Sequence, residues 1–114
     1  MVSCSNLKII SLNYQLIGYE FSWTNDRMWR QNRRQITPTC IGADLNRNFR
    51  FSWRAATVLQ QCGSLTYPGP FPLSEPEDFA LHEIIERYKD SVKLYLSVHS
   101  FGDLVLWPWS YTTA

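Results

Sequence analysis

The chain has 114 residues, with 11 Lys and Arg against 10 Asp and Glu and a formal net charge of +1, so it is limited to one modest domain. Hydrophobic residues make up 45% and charged residues 18%, with five Trp, six Tyr and six Phe, which excludes intrinsic disorder. No run reaches the roughly 18 apolar residues of a membrane span, and the first 20 residues show no secretory signal pattern. The sequence therefore predicts no membrane partner.

The first half of the chain contains two candidate strands separated by polar sequence. Residues 8–15 are β-branched and partly alternating, which predicts a strand that ends before Gly18. Residues 26–54 are polar and irregular, and only the short apolar run at residues 41–45 predicts a strand there. An extended loop is then indicated by Pro68, Gly69, Pro70 and Pro72.

The second half predicts a helix followed by two strands. Ser74 and Glu77 have the spacing of a capping box, and the helix after them is predicted to run to about Tyr88. Its apolar face is formed by Leu81, Ile84, Ile85 and Tyr88. Residues 92–98 alternate in polarity, and residues 104–107 form a second apolar run after a turn. This order predicts an α/β layer with functional residues at the ends of the sheet strands.

Charge is divided unevenly between two segments. Residues 26–54 hold seven arginines against two aspartates, whereas residues 74–90 hold six acids against two bases. Arginine in preference to lysine favours planar recognition of a carboxylate or phosphate, and the alternative is a solvated basic face. Nucleic-acid binding is disfavoured because the net charge is near zero and the aromatic residues do not form an interleaved stacking platform.

Three cysteines and one histidine are candidates for covalent or metal chemistry. The cysteines match no CxxC metal motif. Cys40 and Cys62 both lie in loop-like sequence, and a bridge between them would leave Cys4 unpaired. His99 falls at a predicted strand end, where it is either a ligand or a structurally satisfied histidine. His82 lies in HEIIE, which lacks the second histidine of HExxH, so an exposed helix position is predicted for it.

Several sequence blocks together indicate a family. In chain order they are DRMWRQNRR, CIGADLNRNF, a second Cys, Tyr67-Pro-Gly-Pro, Ser74-Glu-Pro-Glu and LYLSVHSFGDLVLWPWSY. Their order and spacing resemble the middle of a zinc metallocarboxypeptidase of the carboxypeptidase A/B family. The resemblance implies part of a mixed-sheet α/β/α fold, incomplete at both ends, over residues 18–114. Residues 1–17 form an atypical N-terminal segment, because Gln15-Leu16-Ile17-Gly18-Tyr19 stands where the family has Asn-Pro-Asp-Gly-Tyr.

The resemblance also implies roles for individual residues. His99 matches the third zinc ligand, Asn46 and Arg47 match the pair that clamps the substrate's terminal carboxylate, and Arg30 matches the arginine that stabilises the oxyanion. Arg27 matches a secondary arginine of the substrate groove. Cys40 and Cys62 match the family disulfide, and further subsite positions are Ser100, Phe101 and Ser110. Such residue types fit an exopeptidase, which must bind a free carboxylate and stabilise charge on a carbonyl oxygen.

Other parts of the family pattern are missing from these 114 residues. The HxxE motif that supplies two zinc ligands does not occur, and the general-base Glu and capping Tyr of the family lie beyond Ala114. We expect a fragment of an extracellular, monomeric zinc enzyme that removes C-terminal residues from peptides, inactive by itself with one zinc ligand of three. The alternative is a non-catalytic module that binds peptide C-terminal carboxylates. Side-chain preference is open, although Ser110 favours basic residues weakly.

Overall fold

The structure is a computed structural model, and it describes residues 16–53, 61–99 and 102–108. The predicted strand at residues 8–15 and Cys4 lie outside the described residues. Helix α1 covers Leu16–Thr24, where the sequence pattern predicts no helix. Gly18 lies inside it at a cost of about 1 kcal/mol relative to alanine. Packing offsets that cost, because the ring of Phe21 meets the ring of Trp29 edge-on at 5.0 Å.

A short antiparallel hairpin follows α1. Strands β1 (Gln35–Thr37) and β2 (Cys40–Ile41) pair with Gln35 opposite Ile41. The strand predicted over residues 41–45 is therefore wrong beyond Ile41, because Gly42 turns the chain with φ +93°. A Cβ at this position would lie 2.8 Å from the Asn32 carbonyl oxygen, so glycine is required. Residues Leu45–Arg47 then form a 3₁₀ turn.

The hairpin is joined covalently to the loop that precedes the second helix. Cys40 is buried on β2 and forms a disulfide with Cys62, with 5.9 Å between their Cα atoms. This is the pairing that the family resemblance implies.

We expect loss of this disulfide to lower the free energy of unfolding by about 3 kcal/mol, because the bridge closes a loop over a sequence separation of 22. Denaturant titration of Cys62→Ser against the oxidised chain measures the difference.

Non-reducing peptide mapping of the oxidised chain should find Cys40 linked to Cys62 and Cys4 free. A bridge from Cys4 to either partner would contradict this prediction.

Helix α2 covers Pro76–Tyr88. The predicted end at Tyr88 is confirmed, but the predicted capping box of Ser74 and Glu77 is wrong. The N-cap is Glu75, Pro76 takes the first helical position, and the Ser74 hydroxyl donates to Glu75 Oε1 across 2.7 Å. The N–H of Glu75 donates instead to Asn48 Oδ1 across 3.2 Å. The helix start is thus satisfied from a distant loop, which sequence spacing cannot reveal.

The two strands predicted after α2 are wrong for the residues described in this part of the chain. Residues 92–98 and 104–107 carry no strand assignment, and their side chains are exposed. A β-strand requires a hydrogen-bonding neighbour, and the strand pairing found among the described residues is that of β1 with β2. His99 therefore does not lie at the end of a strand.

Polar and charged side chains slightly outnumber apolar side chains at the buried positions of the described residues. The buried apolar side chains are Cys40, Ala43, Leu45, Pro68, Leu73 and Leu81. The buried polar and charged ones are Ser22, Gln31, Asn32, Asp44, Asn48, Glu75 and Asp78. Because so many buried side chains are polar, hydrogen bonds and ion pairs organise the loops that form the candidate site.

Within the described residues, no helix has the length and apolar character needed to cross a bilayer.

Candidate functional site

Asp44 is central to the candidate site because its two carboxylate oxygens bind two different segments. Arg30 Nε donates to Oδ2 across 2.9 Å, and the backbone N–H of Asn46 donates to Oδ1 across 3.1 Å. The Asp44 side chain is 3% exposed and that of Arg30 is 40% exposed, so the guanidinium extends from a buried anchor toward the surface. One carboxylate thus fixes the position of Arg30 relative to the 3₁₀ turn.

The 3₁₀ turn itself presents the predicted carboxylate-binding pair. Leu45 is buried and holds the turn against the protein, while Asn46 is exposed and Arg47 is half-buried. The Arg47 N–H donates to the Asp44 carbonyl oxygen across 2.9 Å, and Arg47 Nη1 donates to the Asn46 carbonyl oxygen across 3.0 Å. An amide and a guanidinium on adjacent residues of a fixed turn can donate together to one carboxylate.

Arg27 contacts an aromatic residue of α1. Its guanidinium stacks on the Trp23 ring of α1, with Cζ 4.5 Å from the ring centroid. Arg33 makes a similar contact nearby, with Cζ 3.7 Å from the centroid of Phe21 and 4.5 Å from that of Trp29. These contacts use the arginines as cation–π partners of α1, and they explain part of the local arginine richness by packing.

The predicted metal ligand His99 is exposed, and its Nε2 lies 3.4 Å from Ser97 Oγ. Among the residues that the structure describes, no group of three or more His, Cys, Asp or Glu side chains is arranged to hold a metal ion. A single imidazole does not make a catalytic zinc site, so this donor set does not fit zinc without further ligands. The other predicted subsite residues, Ser100, Phe101 and Ser110, lie outside the described residues.

Glu75 forms a buried ion-pair network that sequence reasoning missed. Its side chain is fully buried, and Oε1 accepts from Arg34 Nη1 at 3.1 Å and from the Ser74 hydroxyl. Asn32 Nδ2 donates to Oε2 across 2.7 Å, and Asn32 Oδ1 accepts from the Ala43 N–H across 2.9 Å. Through Asn32, Glu75 therefore joins the start of α2 to Ala43, the residue directly before Asp44.

Asn48 forms the second missed anchor, directly after the 3₁₀ turn. It is fully buried, and its Nδ2 lies 2.7 Å from the Pro68 carbonyl oxygen and 3.0 Å from that of Phe71. Gly69 allows this approach, because it has φ +87° and a Cβ there would lie 2.7 Å from Asn48 Nδ2. The loop over residues 67–75 is thereby held against the turn that carries Asn46 and Arg47.

Asp78 lies in the first turn of α2 and is the most perturbed acid of the site region. Burial, and then the charges of Glu77, Glu75 and Asp44, raise the pKa of Asp78 to about 8. Burial and the charge of Glu75 also raise the pKa of Tyr67, against a smaller lowering effect of Arg34. Asp78 is therefore largely protonated at neutral pH.

The known proteins that resemble this chain belong to one family. The sequence profile of the zinc carboxypeptidase family matches residues 18–114. Carboxypeptidase O of Bos taurus is 45% identical over 96 residues, which cover 83% of this chain and 26% of the relative. Mast cell carboxypeptidase A of Rattus norvegicus is 42% identical over 100 residues, which cover 87% of this chain and 24% of the relative.

A solved structure is similar over most of the chain. Bovine thrombin-activatable fibrinolysis inhibitor, in complex with tick carboxypeptidase inhibitor, matches with a TM-score of 0.80 and 36% identity, over 89% of this chain and 35% of that one. The chain therefore belongs to the zinc carboxypeptidase family, whose fold is α/β. It spans about a quarter of the length of the curated relatives reported above.

Proposed function

We propose that this chain is the central segment of a zinc metallocarboxypeptidase that hydrolyses the C-terminal peptide bond of peptides and proteins. The observation that carries the proposal is the double use of Asp44, which binds Arg30 through one oxygen and the turn bearing Asn46 and Arg47 through the other. An exopeptidase needs both a carboxylate clamp and a separate cation at the scissile carbonyl, held at a fixed separation.

In this proposal the arginines act at two points of the substrate. Asn46 and Arg47 donate to the free α-carboxylate, which selects the chain end and places the last peptide bond in register. Arg30 donates from its guanidinium to the scissile carbonyl oxygen as negative charge develops there. Asp44 holds Arg30 in place through its Nε atom. Arg27, Ser100, Phe101 and Ser110 are proposed to line the groove and its subsites.

His99 is proposed as one zinc ligand, with the remaining ligands supplied from outside these 114 residues. Zinc bound with an open position supplies Lewis-acid polarisation and an activated water. The described donor set does not fit the metal by itself, so the steps assigned to this chain are substrate binding and stabilisation of charge.

A non-catalytic module that binds peptide C-termini is the second candidate function. It is supported by the turn that carries Asn46 and Arg47, because an amide and a guanidinium on adjacent residues can bind a carboxylate without a metal. The affinity of the chain for an acetylated peptide, compared between its free-acid and amidated forms, measures carboxylate binding without catalysis. Peptide hydrolysis by a complete carboxypeptidase that carries residues 18–114 in place of its own segment then tests the enzymatic function.

The proposal extends to the setting in which the protein acts. A Cys40–Cys62 disulfide is typical of an oxidising compartment, which supports an extracellular location. We propose residues 18–114 as the partial catalytic domain, residues 1–17 as a separate atypical segment, and a monomeric complete form. Its partner is the C-terminus of a peptide or protein.

We expect the 114-residue chain to have no carboxypeptidase activity, because His99 is its one identified zinc ligand. The assay adds zinc to the chain with peptides ending in Phe, Leu, Arg or Lys and measures release of the last residue. Turnover that is abolished both by a chelator and by His99→Ala would show that the chain assembles a catalytic site without the HxxE ligands.

A further inference from the structure

Asp78 is a buried acid whose normal hydrogen bond is taken by another residue. It is the third residue of α2, the position from which an acidic side chain can reach back to the N-cap N–H. Here the N–H of the N-cap residue Glu75 donates to Asn48 Oδ1 instead. Asp78 is 0% exposed, and neither carboxylate oxygen has a hydrogen-bond partner in the described structure.

The groups around Asp78 would oppose a negative charge on it. Three acids act on it: Glu77 beside it, Glu75 at the N-cap and Asp44 from the loop before the 3₁₀ turn. Two cations close to these acids are already engaged, Arg34 with Glu75 at 3.1 Å and Arg30 with Asp44 at 2.9 Å. His82, one helical turn further along, donates no hydrogen bond to Asp78.

We propose that Asp78 acts as a proton-controlled lock, by which we mean that its protonation state controls how firmly α2 is held against the loop that carries Asp44. A protonated Asp78 is tolerated among the buried acids Glu75, Glu77 and Asp44. An ionised Asp78 weakens the contact between α2 and that loop. A neutral carboxyl adds no charge beside Asp44 and Glu75, so both keep their arginines. An ionised Asp78 adds an unpaired charge in a site closed to water.

The direction of the pH dependence follows from the pKa of Asp78, which is raised from 3.8 to about 8 in the folded state. Between these two values the folded chain keeps a proton that the unfolded chain has released. The contribution of Asp78 to the free energy of unfolding is therefore complete below about pH 4, falls as the pH rises, and levels off above about pH 8. One linked proton changes the unfolding equilibrium constant by up to about tenfold per pH unit.

The coupling to ligand binding rests on the proposed function. The charge of Asp44 acts on Asp78, and Asp44 also holds Arg30 and the turn with Asn46 and Arg47. A charge on Asp78 therefore acts on the support of the proposed clamp. We therefore assign to this lock a loss of peptide C-terminus binding above about pH 8.

The first test measures the stability of the oxidised 114-residue chain by denaturant titration from pH 5 to pH 9. Asp78→Asn keeps the shape of the side chain and removes its titration. The ratio of the wild-type unfolding constant to that of Asp78→Asn should rise by up to about tenfold per pH unit up to pH 8. Asp78→Ser repeats the comparison if the asparagine variant fails to fold.

Two controls isolate the lock from other titrating groups. Glu83→Gln removes an exposed acid of α2, and His82→Gln removes the neighbouring histidine. Both should keep the wild-type dependence on pH. The lock is overturned if the wild-type and Asp78→Asn curves stay parallel, or if His82→Gln flattens the wild-type curve.

The second test measures binding of an acetylated tripeptide ending in free phenylalanine between pH 6 and pH 9, with its amide as reference. The terminal carboxylate of the peptide stays ionised throughout this range. Wild-type affinity should fall at least threefold from pH 7 to pH 9, and Asp78→Asn should hold it constant. Equal profiles overturn the coupling to the clamp. No binding by any form overturns the proposed function, while the stability series still decides the lock.

Discussion

Replacement of Glu75 by alanine should lower the free energy of unfolding by about 2–3 kcal/mol. The side chain is fully buried, and its removal leaves the buried amide of Asn32 without its acceptor, whereas Arg34, whose side chain is 41% exposed, can be solvated by water. Denaturant titration at neutral pH measures the loss. Glu75→Gln should recover part of it, because an amide oxygen still accepts from Asn32.

Glu86→Ala is the matched control for this variant. Glu86 also pairs with a cation, Lys89 at 3.1 Å, but its side chain is 51% exposed. Surface pairs of this kind contribute at most about 1 kcal/mol. A Glu75→Ala variant no less stable than Glu86→Ala would show that the buried network does not organise the loops around Asp44.

Removal of the Arg30 guanidinium should slow catalysis by about a hundredfold or more with little change in KM. The proposed role of Arg30 is confined to charge that develops in the transition state, so its loss acts on kcat like the loss of one oxyanion donor. The measurement uses a chimera in which residues 18–114 replace the matching segment of a complete carboxypeptidase. An intact kcat in Arg30→Ala would rule out the oxyanion role.

Arg47→Ala in the same chimera should give the opposite kinetic pattern. The proposed clamp holds the terminal carboxylate before and during reaction, so its loss raises KM and reduces discrimination between free and amidated peptide ends. Arg50→Ala, an exposed arginine three residues further on, serves as control and should change neither constant. Unchanged discrimination in Arg47→Ala would remove the clamp from the proposal.

The family and helix α2 could be predicted from sequence because both depend on local signals. The blocks around Arg30 and Arg47 preserve a family pattern, and the end of α2 follows from apolar spacing over a few turns. The Cys40–Cys62 pairing followed from the resemblance and is present in the structure. The roles proposed for Arg30, Asn46 and Arg47 remain predictions that the kinetic experiments test.

The features that could not be predicted depend on contacts between distant residues. Asn48 and Glu75 belong to residue types that are usually exposed, and no spacing rule indicates that they meet. The start of α2 was misplaced because the acceptor for its first N–H comes from Asn48, 27 residues earlier. The strands predicted at residues 92–98 and 104–107 failed because alternation describes a half-buried face and does not supply a pairing neighbour.

The exposed residues 92–98 also affect how the chain behaves at high concentration. Leu94, Leu96 and Val98 are 73%, 72% and 89% exposed, on a segment of high β-propensity that contains no proline. Backbone that has no strand partner among the described residues is a template for strand pairing between molecules, and within this segment Lys93 provides a single charge against it. Self-association should therefore begin at this segment, and a second charge placed at Tyr95 is the most direct way to suppress it.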